Sequence, residues 1–132
     1  MKKLEHIGIA VKDLEAAKTK YKVILGVACY KEEVVESENV LTAFFQTADQ
    51  KIELLQATSN DSAIAKFIEQ RGEGMHHIAF EVDDLEKEIE RLKTEGYHTI
   101  IKPKAGADNK TITFLHPKDA NGVLIELCQS NR

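Results

Sequence analysis

The sequence predicts an α+β fold of two tandem β-α-β-β-β modules, and three observations carry that prediction. Residues 6–15 (HIGIAVKDLE) and 77–86 (HIAFEVDDLE) are identical at six of ten positions. A second pair, 51–56 (KIELLQ) and 124–129 (LIELCQ), repeats at nearly the same offset, 73 residues against 71. Each copy also shows one order of local patterns: a strand, a capped helix, then three strand-like stretches. A single shared segment is compatible with coincidence. Two paired segments at one offset indicate a duplication, one supersecondary unit used twice.

The elements follow in order. Residues 4–11 alternate as a strand does, with Ile7, Ile9 and Val11 on one face and His6, Gly8 and Ala10 on the other. Asp13 is placed to cap a helix with the stripe Leu14, Ala17, Tyr21, Ile24 and Leu25, and Gly26 stands where that helix closes. Strands are expected near 28–36, 39–46 and 50–56. Ile64, Phe67 and Ile68 are spaced for a short amphipathic helix over about 61–71, which links the modules. The second module repeats the scheme: strand 75–82, N-cap Asp84, stripe Leu85, Ile89 and Leu92, and Gly96 at the helix end. Strands near 97–101, 111–116 and 122–128 complete it. The loop 102–110, with Pro103 and Gly106, is expected at the surface. The chain is read as one domain over 1–132, with module one at about 3–58 and module two at about 74–129.

Composition narrows the function. A net charge of −4 argues against non-specific nucleic-acid binding, which needs a broad basic surface. No apolar run approaches the ~20 residues of a membrane-spanning helix, so no membrane partner is expected. Met1-Lys2-Lys3-Leu4-Glu5-His6 runs straight into strand-like sequence, which leaves no signal peptide to remove. Cys29 and Cys128 form no CxxC pattern and read as reduced thiols of a cytoplasmic protein.

Strand parity then points to a metal. The aliphatic residues of each first strand must face the local helix, so His6 and His77 face the other way, beside the small Gly8, Ala10 and Ala79. On the last strand of each module, Glu53 opposes Ile52 and Leu54, and Glu126 opposes Ile125 and Leu127. A carboxylate within an aliphatic strand is costly to bury unless it is paired, hydrogen-bonded or ligated. One histidine and one glutamate per repeat, at matching positions, make a set of two nitrogens and two oxygens. Such a set suits one divalent ion, Zn²⁺ or Co²⁺, with Ni²⁺ and Mn²⁺ as alternatives. His76 falls on the opposite parity, as a packed structural histidine, and His98 is expected at the surface.

These residues resemble a known family. The modules with one ligand on each first and last strand are similar to the vicinal-oxygen-chelate (glyoxalase/bleomycin resistance/dioxygenase) superfamily. Within it, His6-Ile7-Gly8-Ile9-Ala10-Val11, Gly74-Met75-His76-His77-Ile78-Ala79-Phe80-Glu81-Val82, and His116-Pro117-Lys118-Asp119 leading to Gly122-Val123-Leu124-Ile125-Glu126-Leu127 look like the methylmalonyl-CoA epimerases. The resemblance spans nearly the whole chain and includes Asp61–Phe67 in the linker. It implies one curved, mostly antiparallel eight-stranded sheet around a metal site, and a homodimer. It also implies metal ligands His6, Glu53, His77 and Glu126, and an acyl-CoA substrate epimerised at C2 through a metal-stabilised enolate. Glu126 is the implied base and Glu53 the candidate on the opposite side. Lys118 and His116 lie in the motif loop as substrate contacts, and Lys102, Lys104 and Lys110 add positive charge for coenzyme A phosphates. Thr42 stands at the third-strand position where some epimerases carry a catalytic glutamate, and a threonine cannot act as a general base. Glyoxalase I (lactoylglutathione lyase) shares the two-histidine, two-glutamate set and is the alternative. An extradiol dioxygenase would leave one glutamate unused, and a non-catalytic binding member would not need the full set.

Overall fold

The computed structural model describes residues 2–131, so the outermost residues of the expected 1–132 span lie outside the described residues. Residues 6–76 form one compact unit, and the remaining described residues form the other.

In the first module, strand β1 (Lys3–Ala10) leads into helix α1 (Leu14–Leu25), followed by β2 (Lys31–Val35), β3 (Val40–Thr47) and β4 (Gln50–Ala57). Helix α1 begins where expected because Asp13 accepts from the Ala16 N–H at 3.1 Å. It ends at Gly26, whose φ of 72° is left-handed, a conformation glycine adopts without a Cβ penalty. The strands lie in the order β2-β3-β4-β1, antiparallel except for the parallel pair β1 and β4. The helix covers one face of this sheet, where Leu14 packs with Val11, Ala43, Phe45 and Leu54. Ile9, Ala17, Tyr21 and Leu25 join that core. Ile24, assigned to the same stripe, is instead turned outward and 65% exposed. Its neighbours Tyr21 and Leu25 already fill the contact with the sheet. Helix α2 (Ala63–Arg71) follows, capped by Ser62 and anchored by the buried Ile64.

The second module repeats the plan with β5 (Gly74–Glu81), α3 (Leu85–Thr94), β6 (Lys104–Ala105), β7 (Lys110–Leu115) and β8 (Ile125–Ser130). Asp84 caps α3 through the Lys87 N–H at 3.1 Å. Strand β5 pairs parallel with β8, and β7 pairs antiparallel with β8 and with β6. Leu85, Val82 and Leu127, with Phe80, Ile89, Leu92 and Ile125, form the core under the helix. A second device is shared by both modules: Gln56 accepts from the Leu14 N–H and Gln129 from the Leu85 N–H, each at 2.6 Å. Each glutamine ties the end of a last strand to the first turn of the module's helix, where the N–H groups have no partner within the helix.

One expected strand moves. Residues 97–101 contribute a single bridge, Thr99 to Leu115, and the strand lies at Lys104–Ala105, within the segment expected to be a loop. Tyr97 and Ile100 are 44% and 49% exposed, so this stretch lacks the buried face that would hold it in the sheet. Gly106 explains why pairing shifts to 104–105, because a Cβ there would meet Ile112 at 2.7 Å. Among the described residues, eight strands, four per module and mostly antiparallel, with three helices make the α+β fold. No helix among the described residues is long and apolar enough to cross a membrane.

Candidate functional site

Residues directly opposite on neighbouring strands share a face. In module one, Gly8 and Phe44 flank Glu53, so Glu53 lies on the face opposite α1. His6 shares that face by alternation, and its Nε2 stands 3.3 Å from Glu53 Oε1. In module two, Ala79 and Phe114 flank Glu126, and His77 Nε2 stands 3.3 Å from Glu126 Oε1. All four residues are buried, at 4–6% exposure. The His77 ring also meets Phe114 edge-on at 6.4 Å. The parity argument therefore holds residue by residue, and each module contains one buried histidine–glutamate couple of the same geometry.

This donor chemistry fits a divalent cation. Histidine nitrogen beside carboxylate oxygen, in a strand otherwise packed with aliphatic side chains, is the combination a borderline metal ion favours. Burying such groups is costly unless they are paired or ligated, and the two couples are the most deeply buried carboxylate–imidazole contacts described in either module.

Other residues fall differently. His76 packs edge-on against Phe67 with ring centres 5.0 Å apart, the structural role its parity implies, and Arg71 stacks over the same phenylalanine. His98 is exposed. His116 Nδ1 accepts from the Lys118 N–H at 3.1 Å and so caps the short 3₁₀ turn Pro117–Asp119, leaving the Lys118 side chain exposed. Thr42 is buried, and its hydroxyl donates to the Glu33 carbonyl at 2.9 Å.

Lys110 is not a loop lysine open to phosphates. It opens β7 with its ammonium buried, 2.7 Å from Ser130 Oγ, 3.6 Å from Glu81 and 4.0 Å from Glu5. The Ser130 hydroxyl in turn donates to Glu81 at 2.5 Å. This cluster was missed because β7 was expected to begin one residue later. Starting the alternation at 110 would have put Lys110 on the Ile112 and Phe114 face. The corresponding places in module one, Val40 and Ala57, are apolar. Beside the cluster, burial first and the neighbouring carboxylates Glu126 and Glu5 next push the Cys128 thiol well above the usual thiol range. Burial at this position therefore disfavours the Cys128 thiolate.

The repeated β-α-β-β-β plan and the paired couples define a two-module fold with one buried histidine–glutamate couple in each module. A family model described as the Glyoxalase/Bleomycin resistance protein/Dioxygenase superfamily matches residues 5–114, and the chain belongs to that superfamily. Within it, the chain groups with enzymes named methylmalonyl-CoA epimerase. The ethylmalonyl-CoA/methylmalonyl-CoA epimerase of Cereibacter sphaeroides is 41% identical over 96% of this chain and 97% of its own length. A solved methylmalonyl-CoA epimerase in complex with methylmalonyl-CoA and NH4+ superposes with a TM-score of 0.91 at 36% identity, covering 98% of this chain and 95% of that one. A hypothetical protein from Bacillus halodurans superposes at 0.95 with 41% identity, covering 99% of this chain and 96% of its own.

Proposed function

We propose that this chain is a metal-dependent epimerase acting at C2 of methylmalonyl-CoA. The observation that carries the reading is the pair of matched, buried histidine–glutamate couples in a chain alike, over its full length, to enzymes of that name. His6, Glu53, His77 and Glu126 would together hold one divalent ion, Zn²⁺ or Co²⁺. When bound, the ion supplies Lewis-acid stabilisation of the negative charge that develops as C2 loses its proton. Glu126 takes that proton, since a carboxylate placed beside a C–H acidified by a thioester typically contributes ~10²–10⁴-fold. Lys118 and His116, on the exposed 3₁₀ turn, meet the coenzyme A portion. The reading carries with it a homodimer working in the cytoplasm.

Glyoxalase I remains the second reading because it uses the same donor types. The test incubates metal-loaded protein with methylmalonyl-CoA in D₂O and, separately, with the methylglyoxal–glutathione adduct. Deuterium should enter C2 of methylmalonyl-CoA, and the adduct should turn over far more slowly. Rapid adduct isomerisation without C2 exchange would put glyoxalase chemistry first.

A further inference from the structure

Module two keeps its histidine–glutamate couple inside one compact unit, since His77, β7 and β8 all lie within residues 77–132. Glu126 Oε1 stands 3.3 Å from His77 Nε2, yet one contact does not fix the plane of an imidazole. The terminal torsion of a histidine is broad and roughly two-fold, so the ring can turn about its Cβ–Cγ bond and carry Nε2 away from its partner. An imidazole that ligates a metal has to be held in one orientation by its surroundings.

Phe114 is placed to hold it. Glu126 of β8 stands directly between Ala79 of β5 and Phe114 of β7, so these three side chains share the face opposite α3. His77, two residues before Ala79, shares that face by alternation. Strands β5 and β7 flank β8 and are separated by about 9.5 Å, twice the spacing of neighbouring strands. The Phe114 ring nevertheless meets the His77 ring, with centroids 6.4 Å apart and planes at 86°. It therefore reaches over β8, past Glu126. The perpendicular arrangement is one that aromatic rings favour, at centroid distances of roughly 4.5–7 Å.

Core packing does not account for this residue. The core of module two lies on the α3 face, built from Val82, Leu85 and Leu127 with Phe80, Ile89, Leu92 and Ile125. Phe114 is on the other face and only half-buried. Its counterpart across from Glu53, Phe44, is 1% exposed and lies 6.0 Å from the Tyr30 ring. The duplicated phenylalanines have diverged in burial.

We propose that Phe114 is a positioning residue for the metal centre, its ring holding the His77 imidazole in the plane that presents Nε2 beside Glu126. The inference rests on the metal-dependent reading above and concerns only module two's share of the ligand set. Without the ring the imidazole rotates, and metal binding has to reorder it. An edge-to-face aromatic contact is worth up to about tenfold in an equilibrium constant, which sets the size of the effect.

The test compares chelator-treated wild type with Phe114→Leu, Phe114→Tyr and Phe80→Leu, each as the full chain. Zn²⁺ affinity is read by competition with a chromophoric chelator, and His77 ring order by NMR of the metal-free protein. Phe114→Leu should weaken Zn²⁺ binding about tenfold and broaden or double the His77 imidazole resonances. Phe114→Ile takes its place if Phe114→Leu does not fold. Phe114→Tyr keeps the ring and should bind within about threefold of wild type. Phe80→Leu thins the core under α3 and should lower the denaturation midpoint, yet leave Zn²⁺ affinity within about threefold and the His77 resonances unchanged. The proposal is overturned if Phe114→Leu binds Zn²⁺ as the wild type does or keeps the wild-type His77 resonances. It is equally overturned if Phe80→Leu weakens binding as much, because the effect is then one of general stability. A wild type that takes up no Zn²⁺ sinks the metal-dependent reading itself and this proposal with it, an outcome distinct from wild type and variant binding alike.

Discussion

At the scale of single residues, Glu126 carries the greatest chemical demand. It is assigned both as ligand and as base, and the two roles separate on substitution. Glu126→Gln keeps the shape and one neutral oxygen donor, so a bound ion remains compatible with the site, while the capacity to take a proton is lost. At matched metal occupancy C2 exchange should fall at least about 10²-fold. Thr42→Val should change the same rate by less than about tenfold, because its hydroxyl serves the Glu33 carbonyl and not a reacting atom. Matched occupancy is essential to the comparison, since loss of the ion would imitate loss of the base. Near-wild-type exchange in Glu126→Gln would leave that residue a ligand only and move the base to Glu53.

At the scale of elements, the duplication is visible in small devices as much as in the strands. Asp13 and Asp84 cap the two helices, and Gln56 and Gln129 brace the same first turns from the last strands. Asp84→Ala should cost about 1 kcal/mol of stability, measured by chemical denaturation, because it strips one donor of its acceptor at a helix end that tolerates little loss. An unchanged midpoint and slope would mean that the Gln129 brace alone fixes the turn. These caps were legible because their chemistry is local: an Asp before an apolar stripe needs no distant partner to be read. The same held for the histidine–glutamate couples, since alternation along one strand decides which face a side chain takes. Strand β6 was not legible for the opposite reason. Its position depends on Gly106 meeting Ile112, a tertiary fit that the exposed stretch 97–101 does not announce. The Lys110 cluster escaped similarly, since Glu5, Glu81 and Ser130 are remote from it in sequence. Its counterparts in module one are apolar, so the repeat gave no second copy to compare.

For the molecule as a whole, the proposed ligand set draws half its donors from each module, and that makes metal binding a property of the entire chain. Two independent half-sites would bind two weak ions, each lost only with its own histidine. A shared site binds one ion per chain, and His6→Ala and His77→Ala should each abolish it, whichever module carries the change. Stability reports the same distinction without any substrate. A ligand bound only by the folded state stabilises by RT ln(1 + [L]/Kd), about 2.7 kcal/mol at a hundredfold excess over Kd. For a chain of 132 residues this corresponds to a rise in Tm on the order of 10 °C. Adding Zn²⁺ or Co²⁺ to chelator-treated protein should produce that rise in the wild type, with elemental analysis giving one ion per chain. Both single variants should melt at the same temperature with and without metal. A variant that keeps half of the stabilisation, or a stoichiometry of two, would show that the modules bind separately and would remove the basis for a shared metal centre.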